Sequence, residues 1–261
     1  MDSSALKQFM GWFKWVLMGI CILIVIGLLV LSLFLYKKKK VNIIKFMTVT
    51  GIFSALSVIL YVVVPDFGLG FTPFWLKVHL DEIPMFLAGY MYGPLAAIVV
   101  NLIKMLIKLP MTTTACVGEF GDFLFSLIFV VPAVILYEKR RKLSSVFIGV
   151  GISTFAHIIF AMIMNVYVLL PFYTFLLPIP DEVLESTCHA IIPVIQGSNW
   201  KWLYAVCMVA PMNAIKDTIV IVVVLLLYKR LHILINRIGE QQGNNELVLK
   251  PNEGTKKPDE E

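Results

Sequence analysis

Leu95-Ala-Ala-Ile-Val-Val-Asn-Leu-Ile-Lys-Met-Leu-Ile-Lys-Leu109 reads as the apolar core of a membrane-crossing helix, yet it carries Asn101, Lys104 and Lys108. Their i, i+3, i+7 spacing puts all three on one helix face. An ionisable group at the bilayer centre costs about 2.5–3.5 kcal/mol on insertion scales, so such groups persist where they face a bundle interior, a water-filled cavity or a polar ligand. Glu119, Asp122, Asn165, Asn213, Lys216 and Asp217 also fall inside long hydrophobic runs. The chain therefore reads as an all-α polytopic membrane protein with a polar pocket near one end.

Composition supports the class. Of 261 residues, 59% are hydrophobic and only 15% charged, against about 25% charged in a soluble domain. The net charge of +5 comes from short basic clusters beside hydrophobic runs. Those are topology signals and not a nucleic-acid footprint. Four scattered cysteines make neither a disulfide scaffold nor a zinc site. Cys21 and Cys207 read as small apolar residues in spans. Cys116 and Cys188 fall in loops on one side, where a disulfide is open to them, with free thiols the default.

The hydrophobic runs divide the chain into residues 1–41, 42–231 and 232–261. The first holds one additional N-terminal span, Trp12 to Tyr36, stopped by Lys37–Lys40. Its apolar core is longer than the roughly 7–15 residues of a secretory signal, so it reads as a retained helix. The second holds six spans, near Asn42–Val64, Glu82–Tyr92, Leu95–Leu109, Gly118–Tyr137, Ser144–Leu170 and Trp202–Tyr228. Residues Pro171–Trp200 read as a long, partly apolar loop. The third segment is mostly polar and reads as a disordered cytoplasmic tail. Placing Lys37–Lys40 in the cytoplasm also places Lys139–Lys142 and Lys229-Arg230 there, so the positive-inside rule gives an outer N-terminus and a cytoplasmic C-terminus.

With that topology the unusual polar groups fall mainly in the outer half of the membrane. Each has a plain reading beside a functional one. Lys108 could snorkel to the interface. Glu119 and Asp122 could serve a helix N-terminus. Asn165 could bridge helices. Lys216 is too deep for snorkelling and calls for a buried partner: a ligand, Asp217 or Glu119. The loop Pro65–Leu76 carries three Phe and a Trp among turn formers. It either lies in an aromatic belt or closes over a planar apolar ligand. Gly51 and Ala55 form a small-xxx-small pair that permits close helix approach.

Reaction machinery is missing from the motifs. No G-x-x-x-x-G-K-[ST], H-E-x-x-H or G-x-S-x-G occurs. His79, His157, His189 and His232 are dispersed and read as interface or packing residues. A polar intramembrane pocket without such machinery points to binding or transport. An intramembrane lipid-modifying enzyme using Glu119, Asp122 or Asp217, or a structural membrane protein, are the competing classes.

Phe74-Trp-Leu-Lys-Val-His-Leu-Asp-Glu-Ile-Pro84, Gly93-Pro-Leu-Ala96, Asn101-Leu-Ile-Lys104, Val117-Gly-Glu-Phe-Gly-Asp-Phe-Leu124, Met164-Asn-Val-Tyr-Val-Leu-Leu-Pro-Phe-Tyr173 and Ala210-Pro-Met-Asn-Ala-Ile-Lys216 together resemble the substrate-binding S components of energy-coupling-factor vitamin transporters. Within that group the chain looks most like the riboflavin-specific members, with S components for thiamine, folate or pantothenate as the alternative. The resemblance covers about Asn42 to Leu231. It implies a six-helix S-component bundle in a bacterial cell membrane, with the helix Trp12–Tyr36 and the length of the Pro171–Trp200 loop as departures. It implies riboflavin or a related flavin as transported ligand, no resident cofactor or metal and no catalytic residue. It implies a transmembrane coupling subunit and two ATPase subunits as partners. Asn165, Asn213 and Lys216 would contact the polar edge of the isoalloxazine ring, Phe71, Thr72 and Pro73 would cover it, and Glu119 joins the candidate set. Gly51 and Ala55 would dock the coupling subunit, although that family's pair is usually two alanines.

Overall fold

The structure, a computed structural model, describes residues 43–63, 69–73, 75–76, 78–111, 117–140, 143–176 and 179–227, with isolated positions between 23 and 37. Two compact units divide the chain, Met1–Val224 and Leu225–Glu261. Everything below lies in the first, except residues 225–227, which are the described part of the second and are helical. The isolated positions from Leu23 to Lys37 are helical; the rest of the expected N-terminal span and the tail 232–261 lie outside the described residues.

Among the described residues, five helices are long and apolar enough to cross a membrane. A sixth, short helix is buried between them. We name them in chain order: α1 (Ile43–Val63), α2 (Glu82–Tyr92), α3 (Pro94–Lys108), α4 (Val117–Arg140) and α5, which begins at Leu143. A peripheral helix α6 (Asp181–Ile191) follows, and α7 (Trp200–Leu227) completes the set.

α2 has 11 residues, a rise of roughly 16 Å at 1.5 Å per residue. It cannot cross the ~30 Å hydrocarbon core alone. Gly93 ends it with φ 96°, a conformation that costs glycine little. Its N–H bonds the Gly89 carbonyl at 2.7 Å, and Pro94 starts α3 at once. Every residue from Glu82 to Tyr90 is buried. α2 lies so close to α4 that a Cβ at Gly89 would stand 2.6 Å from Val134 Cγ2.

α3 is amphipathic in the membrane sense. Its buried side carries Asn101, Lys104 and Lys108, while Leu102, Leu106 and Ile107 are exposed. Where lipid is the solvent, polar residues belong inside and aliphatic ones outside. α4 is the most enclosed of the long helices and packs along α5. A Cβ at Gly149 of α5 would meet the Ala133 carbonyl oxygen of α4 at 3.0 Å, so glycine lets the two backbones touch.

The helix expected to stop at Leu170 goes further. α5 is α-helical over Leu143–Met164, π-helical over Asn165–Leu169, and α-helical again over Leu170–Leu176. The N–H of Leu170 reaches back to the Asn165 carbonyl. Pro171, which reads as a stop, follows directly on a turn whose bonding is already re-registered. The stretch read as a loop also contains α6. Its Asp181 and Glu182 sit in the first turn after Pro180, a favourable N-terminal charge placement. The buried face of α6, Leu184 and Cys188, closes a core cluster with Leu76, Tyr204 and Met208. Cys188 is a free, buried thiol; Cys116 lies outside the described residues.

Candidate functional site

A cavity of about 330 Å3 opens at the end of the bundle that carries the 69–81 loop and α6. Its polar wall is built by Asn165 of α5 and by Asn213 and Lys216 of α7. Its charged wall holds Glu119 and Asp122 of α4 and Lys108 of α3, with Tyr61 and His79 beside them. Phe125, Tyr173, Leu169 and Met212 supply apolar surface, and Trp75, Leu76 and Leu184 close the loop side.

Two π-helical turns frame the polar wall. One begins at Asn165 and the other covers Ala205–Val209, just before Asn213. Each winds one extra residue into a turn, a device common at functional sites. Asn165 Nδ2 donates to the Ala161 carbonyl and Asn213 Nδ2 to the Val209 carbonyl, both at 2.9 Å. Both amides are thereby fixed to their own helices. Asn165 Oδ1 also accepts the Tyr204 hydroxyl at 3.2 Å, and Tyr204 in turn accepts Trp75 Nε1 at 3.2 Å. The loop is tied to the polar wall through two aromatic side chains.

Among the described residues, several intramembrane charges are paired. Lys216 Nζ stands 2.6 Å from Glu82 Oε1. Lys104 Nζ lies 2.6 Å from Asp81 Oδ2 and 3.2 Å from Asp122 Oδ2, and donates to Ser126 Oγ at 3.3 Å. Lys108 Nζ reaches the same Asp122 oxygen at 2.8 Å and sits 3.6 Å above the Tyr61 ring. His157 Nδ1 pairs with Asp217 Oδ2 at 2.8 Å. Asn101 Nδ2 donates to the Phe123 carbonyl at 2.9 Å, joining α3 to α4.

Several expectations change. The protein partner of Lys216 is Glu82, not Asp217 or Glu119; Asp217 is taken by His157, which is therefore more than a packing residue. Lys108 does not snorkel: it is 4% exposed and ion-paired. Asp122 bridges two lysines, and Glu119, in the first turn of α4, lines the cavity. Asp81 and Glu82 carried no assigned role in the sequence. The signal for them was present: two adjacent carboxylates entering an apolar helix, the pattern that singled out Lys104.

The loop residues divide. Trp75, Leu76 and His79 line the cavity. Phe71 packs on the Leu76–Leu184–Tyr204 cluster, and Pro73 is buried. Thr72 closes the turn, its N–H and Oγ1 both donating to the Leu69 carbonyl at 2.7 and 2.8 Å. These three thus support the wall from behind. Gly51 and Ala55 are exposed on α1, and nothing lies within 4 Å of a Cβ built on Gly51. The opposite side of α1 is anchored by Ser57, whose hydroxyl donates to the Asp81 carbonyl at 2.7 Å.

A sequence model of the family described as "ECF transporter, substrate-specific component" matches residues 45–228. The chain is 30% identical over 186 residues to the riboflavin transporter RibU of Staphylococcus aureus (strain TCH60), covering 71% of this chain and 90% of that protein. It is 25% identical over 194 residues to the riboflavin transporter FmnP of Bacillus subtilis (strain 168), covering 72% and 92% respectively. Its fold is similar to a solved S component of a bacterial ECF transporter, with a TM-score of 0.58 and 26% identity over 74% of this chain and 99% of that one.

Proposed function

The chain belongs to the substrate-specific components of ECF transporters, and we propose that it is the membrane subunit that binds riboflavin for uptake. The observation that carries this reading is the cavity itself: two fixed amides and an ammonium face a space walled by aromatic and aliphatic groups. Riboflavin is a planar ring with a hydrogen-bonding pyrimidine edge, an apolar dimethylbenzene end and a polyol tail. Asn213 and Asn165 offer donor and acceptor to the edge, and Lys216 donates. Phe125, Tyr173, Leu169 and Met212 suit the apolar end. Glu119 and the Lys108–Asp122 pair supply acceptors and a donor for hydroxyls. The volume of about 330 Å3 falls in the range of roughly 300–1,000 Å3 for small-molecule sites.

Transport needs partners. The chain has no phosphate loop, so ATP hydrolysis belongs to two separate ATPase subunits, reached through a transmembrane coupling subunit. The exposed Gly51–Ala55 face of α1 suits close approach of a partner helix. The cavity faces outward, the C-terminus lies in the cytoplasm, and the loop around Phe71–Thr72–Pro73 holds the wall over the bound ligand. The protein works as a binder, with riboflavin as cargo and not as a cofactor.

The test is an absorbance scan from about 300 to 550 nm on detergent-purified protein from a riboflavin-replete host, followed by fluorescence titration. A one-to-one flavin spectrum, released on denaturation, supports the reading. Asn213→Ala should weaken binding at least tenfold, about 1.4 kcal/mol. A colourless protein that leaves riboflavin fluorescence unquenched rejects flavin as the ligand and turns the search to other vitamins.

A further inference from the structure

Lys216 belongs to the cavity wall, but the group that holds its ammonium does not. Glu82 Oε1 stands 2.6 Å from Lys216 Nζ, and Glu82 is fully buried behind the cavity. Other carboxylates are engaged elsewhere: Asp217 with His157 at 2.8 Å, and Asp122 with Lys104 and Lys108 at 3.2 and 2.8 Å.

Glu82 is carried on a helix with little room to move. It opens α2, which is buried along its length. The Phe86 ring meets the Phe129 ring edge-on, centroids 5.0 Å apart. Val134 blocks any thickening of Gly89. Phe129 in turn lies 5.9 Å from Lys216 Nζ. A lysine ends in three donors on a flexible four-carbon stem. Committing one donor to a carboxylate on a fixed helix gives the ammonium a single place.

Stability alone gives no reason for such a pair. Apolar residues of similar volume commonly match or exceed a buried ion pair. The position of this pair at the cavity edge does give a reason. We infer that Glu82 is a positioning residue for binding: it keeps the Lys216 ammonium in place as donor to the acceptor edge of the flavin, without touching the ligand. This rests on the riboflavin reading above.

The test uses the full chain in detergent as wild type, Glu82→Gln, Lys216→Met, the double variant and Glu82→Asp. Riboflavin affinity is read by fluorescence quenching, and the visible band of the bound flavin by absorbance, because a charge beside the ring tunes its electronics. Glu82→Gln and Lys216→Met should each weaken binding at least tenfold and move the band in the same direction. The double variant should match Lys216→Met in both readouts. Glu82→Asp, which keeps the charge, should recover part of the affinity and return the band towards wild type.

The double variant leaves no unpaired buried charge, so it serves even where Glu82→Gln alone does not fold. Its agreement with Lys216→Met then supports the inference, and a further loss refutes it. Additive losses, or a Glu82→Gln protein with wild-type affinity and band, overturn it as well. Wild-type protein that binds no riboflavin overturns the functional reading instead, and that result is visible before any variant is made.

Discussion

Replacing Lys104 by methionine should destabilise the bundle severely. Lys104 is fully buried and joins Asp81 at 2.6 Å, Asp122 at 3.2 Å and Ser126 at 3.3 Å. Methionine keeps the unbranched shape and removes the charge. Asp122 still has Lys108 at 2.8 Å, but Asp81 loses the cation beside it while staying buried. Breaking a buried pair by removing one partner costs about 3–5 kcal/mol. At roughly 2–4 °C per kcal/mol for a chain of this size, the melting midpoint should fall by roughly 6–20 °C. The assay is thermal unfolding of purified protein in detergent, followed by far-UV circular dichroism and by loss of the monodisperse gel-filtration peak. The companion variant Lys104→Met/Asp81→Asn removes the stranded charge and should regain most of the loss. A Lys104→Met protein that melts within about 2 °C of wild type would refute the reasoning, because the network would then contribute nothing that its desolvation had not cancelled.

Other consequences are as direct. Gly89→Ala places a methyl 2.6 Å from Val134 Cγ2 and should cost about 1–3 kcal/mol of overpacking, read as a lower melting midpoint. Gly51→Trp enters open space; riboflavin affinity of the isolated subunit should stay within twofold of wild type, while uptake by cells supplying the coupling subunit and ATPases should collapse. Retained uptake would remove that face from the docking proposal. Burial pushes the Cys188 thiol from 9.0 up to about 12, so the folded protein holds it neutral where the unfolded chain ionises. Its contribution to stability is present below about pH 9 and lost as pH rises towards 12. In a chain whose other cysteines are replaced by serine, maleimide labelling at pH 8 should be slow until the protein is unfolded. Fast labelling of folded protein would contradict the buried placement.

Much of the architecture was legible because lipid simplifies the problem. The lengths of the apolar runs located α1, α3, α4 and α7, and Gly93-Pro94 marked the tight α2–α3 turn through backbone chemistry alone. Depth along each run was enough to single out Asn165, Asn213 and Lys216, which the structure brings to one wall. The misreadings have local causes. Pro171 reads as a helix stop because periodicity assumes 3.6 residues per turn, and the π-helical turn before it breaks that assumption. α6 was hidden because its length and mixed polarity resemble a loop beside 20-residue apolar spans. The partners of the buried charges were not legible at all. Lys216 meets a residue 134 positions away and Asp217 one 60 positions away, and only tertiary packing chooses among the available carboxylates.

The pairing of Glu82 with Lys216 also has a meaning for how the chain enters the membrane. α2 and α3 are joined by Gly93 alone, so they insert as a hairpin, and Asp81 and Lys104 on its two arms can neutralise each other on entry. The ion-pair partner of Glu82, Lys216, lies outside the hairpin. Its cation is synthesised 134 residues later, a delay of roughly 7–27 s at bacterial translation speeds of about 5–20 residues per second. Until α7 arrives, the nascent bundle holds a carboxylate that is either protonated or in contact with water. Docking of α7 is then the step that brings Glu82 its cation and completes the polar wall of the ligand site.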